Sequence, residues 1–314
     1  MAPGERGLDR AWVRQALSGP MTSIHPLFTE DGSLDPAGVA RHIDHALAAG
    51  SGTMLLTYGD SLHSILSDRE VGDLLRMVIR ATAGRAMVVA ADRQWATRIE
   101  LEFAREAREA GADVLMVLPP NWGRSATVDS LVDHYRAVAA EIPAMVVTAA
   151  FSGIESVGLE VLRILVEWEP RMVALKDDIC GDFAKRVATL CHPAWAIISG
   201  GQKQNHLDML PHGCDGYMST FIHFNPPVAH RYWELVMAGD LSKVAALIDR
   251  YDRPYFDRIL AMPGGFDGGF HATLEVAGLA DRWRRAPYYS ITNAEYDEFA
   301  AFLHDSGMLE PPTI

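Results

Sequence analysis

A lysine closes the apolar run Met172, Val173, Ala174, Leu175, and two carboxylates, Asp177 and Asp178, follow it. Side chains alternate along an extended strand, so Lys176 shares a face with Met172 and Ala174 while Asp177 points the other way. An amine held between apolar walls loses solvation. That favours its neutral form, and a neutral amine attacks a carbonyl carbon. Asp177 and Asp178 act in the opposite direction if they face the amine. For this segment alone the competing account is a lysine whose stem is buried while its head reaches water and pairs with Asp178.

The elements that must position this lysine are legible as alternating short and long runs. Strand-like apolar runs fall at residues 21–24, 54–57, 86–90, 114–118, 144–148, 172–175, 195–198 and 216–218. Runs this short and this apolar suit parallel strands buried on both faces. Helical patterns lie between them, at residues 36–49, 68–83, 96–110, 128–141 and 181–190; in the third, Ile99, Phe103 and Ala107 form an apolar stripe. Gly50, Gly84, Gly111 and Pro143 punctuate the helix-to-strand joints. Eight such units predict an α/β fold of the (β/α)8 TIM-barrel class, in which chemistry sits at the C-terminal strand ends. A doubly wound sheet would carry a glycine-rich phosphate turn early in the chain, and the sequence has none. After residue 226 the pattern turns helical, at residues 227–237, 241–258, 270–278 and 294–304. The expected organisation is an N-terminal extension (1–18), a barrel (19–226) and a C-terminal helical extension packed on it (227–314).

Composition narrows the classes. The net charge of −13 disfavours a nucleic-acid or anionic-membrane partner. Three cysteines are an odd number in a long chain, which fits a reducing cytoplasm better than a disulfide framework. The first residues lack the apolar core of a signal peptide. No apolar run approaches the ~20 residues of a membrane span. The expectation is a soluble, cytoplasmic protein.

Taken in order, the motifs resemble the dihydrodipicolinate synthase / N-acetylneuraminate lyase superfamily. Residues 26–35 resemble its first loop, and 57–70 its glycine–threonine–threonine–glycine–glutamate loop with the helix start after it. Residues 111–120 resemble its fourth strand, and 173–182 its Schiff-base lysine strand. Ser199 to Gly201, 213–219, Asn225-Pro226 and 285–287 resemble its last strands and a late arginine–proline element. The resemblance implies class I lyase chemistry. Lys176 condenses with a small 2-oxo acid, pyruvate-type, with no cofactor and no metal. It also implies a homotetramer built as a dimer of dimers, or a dimer.

The departures matter as much. The family's strand-five tyrosine, a proton shuttle, falls on Val147, or on Thr148 if the alignment slips by one. Its paired threonines fall on Tyr58 and Gly59, its neighbour-subunit tyrosine on Trp122, and its carboxylate-binding arginine near Ser152. Dihydrodipicolinate synthase activity itself is therefore not expected. Tyr58 is the first replacement for the relay, against a pocket-wall aromatic as the alternative. His25 is a second candidate base, against a loop-bound histidine. Asp60 and Ser61 are expected to contact substrate or to cap the following helix. Thr148, Ser199, Gly200 and Met218 supply further contacts at strand ends. Arg93 and Arg124 are carboxylate clamps or surface residues. Tyr58, Trp95, Trp122, Phe151 and Phe221 line the mouth or pack between loops.

His42 and His45 share a helix face, but without a third ligand they read as a solvated face, and no metal site is expected. The primary expectation is aldol cleavage or condensation of a 2-oxo acid through an imine on Lys176. A 2-oxo acid dehydratase or hydratase using the same imine, and a non-catalytic ligand-binding barrel, are the alternatives.

Overall fold

The computed structural model describes residues 5–121 and 124–314. Eight parallel strands close on themselves in chain order. They are β1 (Gly19–Ser23), β2 (Thr53–Leu55), β3 (Met87–Ala91), β4 (Val114–Val117), β5 (Ala144–Val147), β6 (Met172–Asp177), β7 (Ala196–Ser199) and β8 (Gly216–Met218). From β1 to β7 every strand residue is buried, as strands covered on both faces require. The expected (β/α)8 barrel is the observed one.

The helices are α1 (Arg10–Ala16), α2 (Pro36–Ala48), α3 (Asp68–Thr82), α4 (Thr97–Ala110), α5 (Val128–Glu141), α6 (Glu155–Trp168), α7 (Gly181–Cys191) and α8 (Lys203–Met209). Local chemistry sets their ends. Ser67 caps α3 in a reciprocal box with Glu70, so Asp60 and Ser61 are not the caps. The same helix buries Val71, Leu74, Leu75 and Val78, each contributing about 1.5–3 kcal/mol. In α4 the buried stripe is Glu100, Phe103, Ala104 and Ala107, rotated from the expected one so that a glutamate is inside.

The chain divides into two compact units, one of Met1–Ser23 with Gly52–Met218 and one of Ile24–Ser51 with Ser219–Ile314. The first contains the barrel. Its seam is closed where β8 meets β1, with Gly19 and Gly216 in register. A Cβ on Gly216 would run into the carbonyl oxygens of Leu17 and Gly19, so only glycine fits. Arg14 of α1 ties the base together. Its guanidinium donates to Asp215 Oδ1 (2.8 Å) and to the carbonyls of His192 and Trp195 (2.7 Å each).

The second unit holds α2 with the C-terminal helices α9 (Pro226–Met237), α10 (Leu241–Leu247), α11 (Arg253–Ala261), α12 (Gly265–Val276) and α13 (Asn293–Asp305). The single helix expected at 241–258 is two, joined by a π-helical turn at Ile248–Asp252. Pro254 at the start of α11 has no N–H to continue the ladder. The helix expected from residue 270 begins five residues earlier, through glycines whose low propensity hid it. His42, read as solvated, is fully buried and lies 2.7 Å from His223 Nδ1 through its Nε2. Among the described residues, no helix is long and apolar enough to cross a membrane.

Candidate active site

Strand β6 ends at the site. The β5–β6 pairing slips by one residue between Ala144 and Met145, and beyond the slip Val147 stands opposite Lys176. Strand alternation then sends Lys176 and Asp178 to one side and Asp177 to the other. Asp177 is fully buried and serves as a knot. It accepts from the Thr148 hydroxyl (2.8 Å), the Cys180 amide (3.0 Å) and Asn205 Nδ2 (3.3 Å). The Thr148 hydroxyl in turn accepts from the Asp178 amide at 2.8 Å. One threonine thus fixes the backbone that carries Asp178.

On the cavity side Lys176 Nζ donates to both carboxylate oxygens of Asp178. The lysine side chain is 8% exposed and that of Asp178 26% exposed, so the pair is open to the cavity mainly through the carboxylate. Gly200, after β7, makes room for them. A Cβ there would meet Asp178 Oδ1 and come within 2.6 Å of Lys176 Nζ. The cavity holds about 300 Å³, enough for a small ligand. Its wall comes from Thr57 to Asp60 after β2, Ala91 and Asp92 at β3, Met116 and Leu118 at β4, Val147 and Ala149 at β5, and Lys176, Asp178 and Gly200. All lie at C-terminal strand ends, where barrels place their chemistry.

Of the residues expected at a site, Lys176, Tyr58, Gly59, Asp60, Val147 and Gly200 come together here. Ser61 and Thr148 are adjacent but engaged. The Ser61 hydroxyl accepts from the Thr57 amide at 2.9 Å and shapes the β2 loop. Ser199 is buried and accepts from Asn205 Nδ2 at 2.9 Å. Met218 ends β8 and is not among the described lining residues. Trp122 lies outside the described residues. His25 belongs to the second unit, buried beside Phe270, with ring centroids 4.3 Å apart. Burial and the neighbouring His223, His271 and His42 push its pKa well below the usual imidazole value.

The aromatic mouth does not form as a set. Tyr58 lines the cavity, whereas Trp95 packs on Phe103 and donates its Nε1–H to Asp68 (3.1 Å). Phe151 is fully buried under Gly158, and Phe221 packs on Phe224 and Tyr255 in the second unit. Arg93 is paired with Asp68 at 2.8 Å.

Two functional-site features escaped the sequence. In the sequence Asp178 reads as a charge that opposes a neutral amine or as a surface partner of the lysine, with no role of its own, although the two-residue strand period puts it on the cavity face. The other is a buried acid pair that runs from the wall to α4. Asp92 accepts from the Leu118 amide (2.7 Å) and interacts with Glu100 of α4. Burial pushes the Asp92 carboxyl up to about 7. Burial and the Asp92 charge push Glu100 well above the carboxylate range. Glu100 carried no signal, because one charge in an amphipathic helix reads as surface.

The profile of the Dihydrodipicolinate synthetase family matches residues 16–306. The chain is 28% identical over 290 residues to 4-hydroxy-tetrahydrodipicolinate synthase 2 of Streptomyces coelicolor, covering 92% of this chain and 95% of that one. It is 29% identical over 256 residues to a protein of Streptomyces avermitilis named "Probable 5-dehydro-4-deoxyglucarate dehydratase 2", covering 80% of this chain and 75% of that one. In fold it is similar to YagE of E. coli K12, a protein solved in complex with pyruvate. That match has a TM-score of 0.78 and 20% identity, over 93% of this chain and 99% of the other. It is similar also to N-acetylneuraminate lyase of Fusobacterium nucleatum, with a TM-score of 0.77 and 17% identity, over 92% of this chain and 98% of the other. With a matching profile over nearly its whole length, the eight-stranded barrel and a lysine closing β6, this chain belongs to the dihydrodipicolinate synthetase family.

Proposed function

We propose that the protein is a class I lyase in which Lys176 forms an imine with a small 2-oxo acid of the pyruvate type. The observation that carries this reading is a nearly buried amine at the end of β6, inside a cavity at the strand ends. The neutral amine adds to the carbonyl carbon. The carbonyl oxygen takes one proton from the nitrogen and one more from an acid and leaves as water, and a protonated imine remains. That cation draws electrons from the neighbouring carbon, so the bond next to it is formed or broken as in an aldol reaction. The proposed substrate contacts are Tyr58, Gly59, Asp60, Val147 and Gly200. Tyr58 lines the same cavity.

Val147 in place of the strand-five tyrosine supports an activity other than dihydrodipicolinate synthesis. A second reading is loss of water from a sugar-derived 2-oxo acid through the same imine. The similarity to named 5-dehydro-4-deoxyglucarate dehydratases favours it. We propose further that the protein is a cytoplasmic homotetramer or dimer, which light scattering tests.

Incubation with pyruvate and a panel of 2-oxo acids, followed by borohydride, is expected to leave a reduced adduct mapping to Lys176. Failure across the panel would sink the imine and favour a non-catalytic binding barrel. Release of a free aldehyde from the true substrate marks carbon–carbon cleavage, and retention of every carbon marks dehydration.

A further inference from the structure

The imine reading needs a group that moves protons, and β5 offers a valine where the resemblance leads one to look for a tyrosine. Thr148, the next residue, has its hydroxyl committed between the Asp177 carboxylate and the Asp178 amide. Tyr58 shares the cavity, but the group hydrogen-bonded to Lys176 Nζ among the described residues is Asp178. Both Asp178 oxygens are on the amine, its backbone is pinned by Thr148, and Gly200 leaves the space in which the pair sits. The carboxylate is more open to the cavity than the amine.

From this geometry we propose that Asp178 is the acid–base catalyst of the imine chemistry, the role that a strand-five side chain does not fill here. The proposal rests on the imine reading above. The Asp178 carboxylate takes a proton from the Lys176 ammonium: an N–H bond breaks, an O–H bond forms, and nitrogen keeps the electron pair. The amine adds to the 2-oxo carbon, and one of its protons passes to the former carbonyl oxygen to make a hydroxyl. The resulting hydroxyl takes the proton back from Asp178 and leaves as water, giving the protonated imine and the free carboxylate. Asp178 then removes a proton from the carbon beside the imine carbon. The C–H electron pair becomes the new carbon–carbon double bond, and the imine double-bond pair moves to nitrogen, giving a neutral enamine. In bond formation the enamine pair goes to an acceptor carbonyl carbon, and Asp178 gives its proton to the oxygen left there. No oxidant or metal enters the balance.

The test uses pyruvate alone, in the intact chain, with two separate readouts. Borohydride trapping reports the imine. Exchange of the pyruvate methyl protons in deuterium oxide, followed by NMR, reports proton removal next to it. Wild type is expected to do both. Asp178→Asn is expected to retain the trapped adduct after long incubation and to lose exchange by about 10²–10⁴-fold. Asp178→Glu is expected to recover part of it, and added formate is expected to restore exchange to Asp178→Ala, which a purely structural carboxylate would not allow. Circular dichroism of each variant guards against misfolding, and formate rescue stands even if one substitution fails to fold.

If wild type traps no pyruvate, the imine reading fails and this proposal with it. If wild type traps pyruvate but does not exchange its protons, Asp178 is not the base. If Asp178→Asn exchanges at the wild-type rate, the imine stands and the assignment of Asp178 is overturned.

Discussion

Val147 and Lys176 are register partners across the β5–β6 ladder, so the residue nearest the amine on the neighbouring strand has no proton to give. The carboxylate two residues after the amine, just past the end of β6, occupies that role in our reading. Moving a hydroxyl back to position 147 is therefore expected to compensate for losing the carboxylate. In the Asp178→Asn background, Val147→Tyr is predicted to raise pyruvate proton exchange at least tenfold over the single variant. A double variant that traps pyruvate but exchanges no faster than Asp178→Asn would show that position 147 cannot serve the imine.

Thr148 tests the support beneath that carboxylate. Its hydroxyl donates to Asp177 and accepts from the Asp178 amide, both at 2.8 Å, the first fully buried and the second partly so. Thr148→Val keeps the shape and strands both partners, so it should cost about 1–3 kcal/mol in urea unfolding. It should also lower turnover while leaving the trapped adduct intact. Thr148→Ser should recover most of both losses. An unchanged unfolding midpoint in Thr148→Val would contradict the clamp.

Gly200 is a different kind of constraint, one of space. The atoms a Cβ would meet are the ends of the Lys176 and Asp178 side chains, which can swing away. Gly200→Ala is thus predicted to change stability by less than about 1 kcal/mol, as most changes away from a packed backbone do. Displacing the ion pair should slow borohydride trapping by about tenfold or more, given how steeply reaction depends on placement. Fast trapping in a well-folded Gly200→Ala protein would mean the ion pair is not held by that gap.

Much of this architecture is legible in the chain because its physics is local. Most barrel strands are short runs with little polar interruption, and the glycines that end α3 and α4 mark the joints. Lys176 stands out because a charge at the end of such a run demands a reason. The second unit is less legible. Whether residues 241–258 continue as one helix is decided by a π turn and by Pro254, and α12 is held by tertiary packing through glycines rather than by propensity. Glu100 and His42 are hidden for a related reason. A polar residue in an amphipathic helix reads as solvated until its neighbours show that its face is the inner one.

The buried acid pair makes stability fall as pH rises. Asp92 titrates near 4 in an unfolded chain and about 7 in the folded one, so the native state holds its proton more tightly. The stabilisation is complete below the unfolded value and is lost as pH climbs through about 7, a loss on the order of 4 kcal/mol. Asp92→Asn keeps an acceptor for the Leu118 amide but never ionises. It is expected to be more stable than wild type at pH 8, by about 1–3 kcal/mol, and level with it or slightly weaker at pH 5. Urea unfolding at the two pH values checks this, and a variant weaker than wild type at pH 8 would refute it.

The histidine cluster works with the opposite sign. His25, His42, His223 and His271 are all buried in the second unit, and His42 and His271 titrate at about 3, lowered chiefly by burial. Their folded values lie below the unfolded value of about 6.5, so the unfolded chain binds protons first as pH falls. Stability from each is whole above about 6.5 and declines below it, by up to about 1.4 kcal/mol per pH unit per histidine. Four such groups outweigh the two carboxyls in the window between pH 4 and 6.5. One unit below 6.5 they remove about 5 kcal/mol, the lower end of a whole domain's stability. The two carboxyls return about half of this over the same unit, so the net stability is expected to fall by a few kcal/mol between pH 7 and 5. His271→Phe keeps a flat ring in the same space, and it should reduce proton uptake on acid unfolding by about one. An unfolding free energy that is flat from pH 7 to 5 would show that these imidazoles are already protonated, or reachable by water, in the native state.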